Sequence, residues 1–350
     1  DRELVPSESY ADKRDQNDEG IFSTSFDDDV VTVTLGENVK TISDYMFTGV
    51  KMQSLTIPGS VTTIGNDVFN GCDELASITF EPSPTGTELT LGYNTEDEDD
   101  GPFLDSPLTK VNLNREIIYS LEKIDLDADD EGIFSGRPLT DGVTLGNQVR
   151  TLSPYMFSNS GITSLKIPAS VEEIKDFAFY NCESLASVRF EAGSEPLTIG
   201  FQPGSNERGP FYQSPLATIN LNRELEPSAT YKEQLDAWDM GIFTNKHYND
   251  TDLTTTVTLG SNVKTIWPWM LSCVRMQNIE IPASVTTIGK EAFSYCYILD
   301  TVTCKGSTPP ILGEDVFYKS GELKYIYVPS GSSSAYKSNW NDYNGKIYEK

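Results

Sequence analysis

The sequence predicts a β-rich solenoid: one right-handed stack of coils, with about twelve short parallel strands on a concave face and irregular or extra-strand segments on the convex face. Three observations predict it. A long repeat opens with Val-Thr-Leu-Gly near residues 33, 143 and 257. Within it lies a shorter unit of about 22–23 residues, a period that belongs to stacked-coil architectures. One aromatic recurs per coil, each time ahead of a stretch of alternating apolar and polar residues. Residues 1–350 are therefore read as a single array, with 1–32 a truncated first coil and 318–350 a C-terminal capping region.

The opening phrase Arg2-Glu3-Leu4, with Pro6-Ser7 after it, recurs at Arg223-Glu224-Leu225 and Pro227-Ser228, within the stretch Asn222–Tyr231 that follows Ile219-Asn220-Leu221. The chain is thus expected to start partway through a coil, as a trimmed piece of a longer precursor. In the short unit, alternation places Leu55 and Ile57 on one side of a strand and Ser54 and Thr56 on the other. Pro58, Pro168 and Pro282 cannot donate to a sheet ladder, so each ends its strand. Val61 and Ile64 then turn inward, and an aromatic follows.

That aromatic register runs Phe22, Phe47, Phe69, Phe103, Phe134, Phe157, Phe179, Phe211, Phe243, then Leu271 in place of a ring, Phe293 and Phe317. No coil can bury such a ring alone; its neighbours must cover both faces, which predicts a stacked aromatic ladder. The matching strand centres are Thr34, Thr56, Thr79, Asn112, Thr144, Lys166, Arg189, Asn220, Thr258, Glu280, Thr303 and Tyr327. Two coils per long period are stretched to roughly 31–38 residues, beyond the usual length of one repeat. One carries Leu89-Thr90-Leu91 or Leu197-Thr198-Ile199, read as an extra outer strand; the other carries Asn-Arg-Glu.

Composition excludes several function classes. The formal net charge is -27, which opposes the phosphate neutralisation that nucleic-acid binding needs and disfavours anionic membrane surfaces. No apolar run of about 20 residues exists to span a bilayer. Five cysteines are an odd set without Cys-x-x-Cys spacing, so buried free thiols are expected rather than disulfides or a zinc site. Cys72, Cys182 and Cys296 share one position, three residues after the ladder aromatic; Cys273 aligns with Gly49 and Tyr295, and Cys304 with Ile281. The single histidine, His247, lies in a long insertion with no nucleophile motif around it. No catalytic residue and no cofactor is expected. The pairs Asp15/Asp18, Asp127/Asp130 and Asp236/Asp239 read as turn caps. Asp125, Asp127 and Asp130 make a weak calcium candidate, since Asp130 stands where such a loop needs glycine. Glu96–Asp100 reads as a solvated acidic loop.

The motifs Ile57–Gly65, Ala292–Leu299 and Gly209–Glu224, together with the tail from Val328 to Trp340, resemble the BspA-like leucine-rich repeats, also called the Treponema pallidum type. The resemblance covers essentially the whole chain and implies a leucine-rich-repeat solenoid. It implies a secreted or outer-surface protein of Bacteroides-like bacteria, noncatalytic, that adheres to or recognises a host protein or glycan. The alternative is a structural spacer that presents another domain. A monomer is expected. The tail after Phe317, Tyr-Lys-Ser in place of x-x-Cys, departs from the pattern where a cap should be atypical. On the concave column, mostly Thr and Asn, the expected ligand-binding candidates are Lys166, Arg189, Glu280, Tyr325 and Tyr327. Trp267 joins them as an exposed anchor, because Ser43 and Ser153 occupy its equivalent positions, whereas Trp269 aligns with Tyr45 and Tyr155 and reads as structural.

Overall fold

A computed structural model describes residues 30–92, 102–103, 105–119, 132–200, 209–228, 241–243, 253–321 and 323–350. Phe22, His247, the acidic run Glu96–Asp100 and the aspartates at 15, 18, 125, 127, 130, 236 and 239 lie outside the described residues. The chain divides into two compact units, Asp1–Thr163 and Ser164–Lys350.

In the first unit, Ser54–Ile57, Ser77–Phe80, Lys110–Leu113 and Gly142–Leu145 form a parallel sheet in chain order. Leu55, Ile78 and Val111 stack in one row, and Ile57, Phe80 and Leu113 in another, all buried. Thr56, Thr79, Asn112 and Thr144 form the outward row between them. A second parallel sheet holds Thr41–Ile42, Thr63–Ile64, Leu89–Leu91 and Ile117–Tyr119. The outer strand foreseen at Leu89 is therefore one member of a four-stranded sheet that short and long coils share. Thr34 is an exception to the expected strand centres: residues 30–40 form no strand. One amide bond, Val31 N–H to the Lys51 carbonyl at 2.8 Å, is too little to build a ladder there.

The second unit repeats the plan. Its principal strands are Ser164–Ile167, Ser187–Phe190, Thr218–Leu221 and Thr256–Leu259, then Asn278–Ile281, Thr301–Cys304, Tyr325–Val328 and Ile347–Glu349. On the other side lie the parallel trio Glu173–Ile174, Leu197–Ile199 and Leu225–Pro227, and the trio Thr265–Ile266, Thr287–Ile288 and Ile311–Leu312. Each unit is a β-rich leucine-rich-repeat solenoid.

The aromatic ladder lies between the sheets. In the first unit Phe47, Phe69, Phe103, Phe134 and Phe157 stack at 6.4, 4.9, 5.3 and 5.5 Å. In the second, Phe179, Phe211 and Phe243 stack at 5.0 and 5.4 Å, and Phe293 and Phe317 at 5.4 Å. Leu271 fills its ladder place fully buried. The chain must reverse tightly around each ring. The residue two before it takes a left-handed backbone at Tyr45, Asp67, Tyr155, Phe177, Trp269, Glu291 and Asp315, and the residue two after it at Gly49, Gly71, Asn159, Asn181, Gln213, Cys273, Tyr295 and Lys319. This explains the alignment of Cys273 with Gly49 and Tyr295: what they share is a backbone conformation, not a side chain.

The Asn-Arg-Glu motif of the long coils is a staple. Arg115 is fully buried and donates to the carbonyls of Gly59, Val61 and Thr87 at 3.4, 2.7 and 3.0 Å. Arg223 repeats this on Ala169, Val171 and Glu195 at 3.3, 2.8 and 2.8 Å. Burial lowers the pKa of both guanidinium groups. The following glutamate points the other way along the stack: Glu116 accepts from the Arg150 and Thr151 amides, and Glu224 from those of Lys264 and Thr265. Burial raises the Glu116 pKa, and the two amide bonds oppose that rise.

The C-terminal end is closed by the helix Ser333–Asn339 and the strand Ile347–Glu349. Tyr336 and Trp340 are buried against each other, 5.1 Å between ring centroids. The Tyr336 hydroxyl donates to Gly306 O at 2.7 Å and Trp340 Nε1 to Pro310 O at 2.9 Å. The two rings thus tie the tail to the connection that precedes the strand Ile311–Leu312.

Candidate functional site

In the second unit, the outward row of the principal strands reads Lys166, Arg189, Asn220 and Thr258 in direct register. Past a break in the ladder it continues as Glu280, Thr303, Tyr327 and Tyr348. The period-2 pleat sends these side chains outward because their neighbours, Leu165, Ile167, Val188 and Phe190, are drawn into the core.

Lys166 and Arg189 are exposed on adjacent strands, about 4.8 Å apart in a sheet. Their like charges are relieved by Glu191, whose Oε1 lies 2.8 Å from Lys166 Nζ. With Lys166 65% exposed, that pair is worth at most about 1 kcal/mol. Glu280 is likewise exposed and pairs with Lys305 at 2.8 Å.

The far end of this face is aromatic. Tyr325 and Tyr348 are 41% and 46% exposed, and Tyr327 is half-buried. The rings of Tyr325 and Tyr327 lie 5.8 Å apart and nearly parallel, at 10°. Tyr348 leans against both, at 5.9 and 6.4 Å and tilted 57° and 50°. Lys350 Nζ sits 5.1 Å over the Tyr327 ring. Sequence reasoning found Tyr325 and Tyr327 and missed Tyr348 and Lys350. The final strand falls outside the repeat period, and only its pairing with Tyr325–Val328 brings Tyr348 into the row.

The structure leaves Trp267 apart from this aromatic group. It is half-buried where the sequence predicts an exposed anchor, and it follows Thr265–Ile266 on the other side of the coil. Trp269 is buried, and Lys290 Nζ lies 5.2 Å over its ring.

All five cysteines are free and buried. Burial pushes the Cys72 and Cys304 thiols up to about 12 and holds that of Cys296 well above its usual range. Burial thus disfavours the thiolate form of these three. Cys72 and Cys296 have a different use. Cys72 Sγ donates to Phe47 O at 3.1 Å and Cys296 Sγ to Leu271 O at 3.2 Å, the ladder residue of the preceding coil in each case. Ser106, Ser214 and Ser320 donate in the same way to Phe69, Phe179 and Phe293. Tyr-Lys-Ser after Phe317 is therefore no departure in physical terms, because serine supplies the same donor. Among the described residues, no three His, Cys, Asp or Glu side chains come together to hold a metal ion.

The family described as "BspA type Leucine rich repeat region (6 copies)" matches residues 19–114, 103–231 and 240–344. The chain belongs to the BspA-type leucine-rich repeat family. Repeats of this family generally serve as noncatalytic binding scaffolds. Among solved structures, a leucine-rich repeat protein from Bacteroides ovatus is similar at 20% identity and TM-score 0.36, over 90% of this chain and 82% of that one. The pneumococcal vaccine antigen PcpA is similar at 16% identity and TM-score 0.34, over 91% and 87%. A leucine-rich cell surface protein from Faecalibacterium prausnitzii is similar at 20% identity and TM-score 0.28, over 89% and 88%. No curated protein matches the sequence.

Proposed function

We propose that this BspA-type protein is a noncatalytic recognition protein of the bacterial exterior, which binds a host protein or glycan through the outward face of its principal strands. One observation carries the reading. In the first unit the outward row is Thr56, Thr79, Asn112 and Thr144, side chains that suit a strand and offer little else. In the second unit the equivalent row breaks into Lys166 and Arg189 at one end and Glu280, Tyr327 and Tyr348 at the other. Strand formation does not require those residues, since threonine serves it elsewhere in the same molecule. Exposed aromatic and arginine side chains are the types that carry binding energy.

A spacer role is the second reading, favoured by the plain Thr/Asn row of the first unit. No described helix is long and apolar enough to cross a membrane. The test is a binding screen against host matrix proteins and glycans, with Lys166→Ala/Arg189→Ala alongside the wild type. Recognition through this face predicts a saturable ligand that the double variant binds at least about tenfold more weakly, the loss of one strong side-chain contact. Equal binding by both proteins removes Lys166 and Arg189 from the site, and no ligand at all leaves the spacer.

A further inference from the structure

We propose that Tyr325, Tyr327 and Tyr348 form a stacking platform for a neutral pyranose oligosaccharide. The proposal rests on the recognition reading above and names the ligand class of one end of that face. Tyrosine presents an apolar ring with a polar tip, so it meets ligands that are themselves apolar on one side and hydroxylated at the edge. A pyranose has that character: axial C–H groups on its faces and hydroxyls around its equator.

The surroundings discriminate among ligand classes. The outward residues on the two strands before the tyrosines are Asn278, Glu280, Thr301 and Thr303, with no aliphatic side chain among them. They offer hydrogen-bond donors and acceptors but no apolar pocket for the anchor residue of a protein partner. The charge of Glu280 is offset by Lys305, 2.8 Å away. A net charge of -27 opposes polyanions. A cationic ligand would compete with Lys350, which already covers the Tyr327 ring at 5.1 Å. Tyr325 and Tyr348, the more exposed rings, remain for the ligand, and Tyr348 is inclined 57° to Tyr325. The two ring planes make an open corner in which successive sugar rings can each meet one aromatic.

The test uses cellotetraose, maltotetraose and mannotetraose as probes, with calorimetric titration of the wild type, Tyr325→Ala, Tyr348→Ala, the double variant and Lys166→Ala/Arg189→Ala. Circular dichroism and thermal melts check that each variant is folded; both tyrosines are surface residues whose removal leaves the buried rows intact. At least one probe is expected to bind the wild type. Each single tyrosine variant should weaken it about fivefold, as loss of one aromatic contact does. The double variant should abolish it, and the Lys166/Arg189 variant should leave it unchanged. Binding that survives in the double tyrosine variant overturns the proposal, as does failure of all three probes. If the probes fail while a host matrix protein still binds and the Lys166/Arg189 variant loses it, the saccharide platform is wrong and the recognition face stands. If neither screen yields a ligand, both fall.

Discussion

Cys72, Ser106, Ser214, Cys296 and Ser320 share one use of their position in the coil: each donates to the carbonyl of the previous ladder residue. From sequence, the cysteines at this position read as small apolar filling, because only identity across repeats was visible. The hydrogen bond emerges only when the carbonyl it meets, some 25 residues earlier for Cys72, is placed beside it. Cys72→Ser should therefore cost no more than about 1 kcal/mol, since the donor is kept. Cys72→Ala should cost about 1 kcal/mol more than that, because the buried Phe47 carbonyl then keeps only the Val50 amide as donor. Urea titration of the two variants checks the difference, and equal losses would reduce the position to volume alone.

Among the elements, the stapled long coils carry the largest local stake. The arginine of Asn-Arg-Glu is a buried cation whose hydrogen bonds go to main-chain oxygens, and its Nε has no acceptor in either copy. Arg115→Ala leaves three carbonyls unmet, at about 1–3 kcal/mol each. The loss should thus reach at least about 3 kcal/mol and lower the thermal midpoint by many degrees. Arg115→Met should cost less, since it retains volume and removes the expense of burying a charge; a differential scanning calorimeter compares the two. The motif itself was legible as a repeat, yet its purpose was not. Arg115 bonds Gly59 and Val61 across 56 and 54 positions, a span over which no local pattern operates. The aromatic ladder and the strand rows were legible, because Phe69 and Leu55 advertise burial by type and spacing. The two-residue strands such as Thr63–Ile64 were not, being too short to alternate. At the candidate site, Tyr325 and Tyr327 were legible through the pleat, whereas Tyr348 depended on a pairing beyond the last repeat.

At the scale of the whole molecule, acidity governs the response to pH. Most carboxylates contribute to a shared repulsion at a formal net charge of -27. Asp176 adds a term of its own. Burial, with Glu173 nearby, pushes its carboxyl up to about 6, and Lys175 only partly opposes this. Between about pH 4 and 6 the folded chain holds a proton that the unfolded chain has lost, so stability falls as pH rises through that window and levels off above it. Asp176→Asn should remove this component. The stability difference between wild type and variant, measured by urea unfolding at pH 4.5, 5.5 and 6.5, should therefore change across the series; a constant difference would show that Asp176 titrates normally in the fold.

In the long coils the strands Leu89–Leu91 and Ile117–Tyr119 are followed along the chain by Phe103 and Phe134, rings held on both sides by the ladder. Strand and ring are each pinned by their own neighbours in the stack. Doubling the intervening length would cost only about 0.6 kcal/mol in closure entropy. The scaffold can accept new peptide there, by natural drift or by grafting, while its spine keeps count.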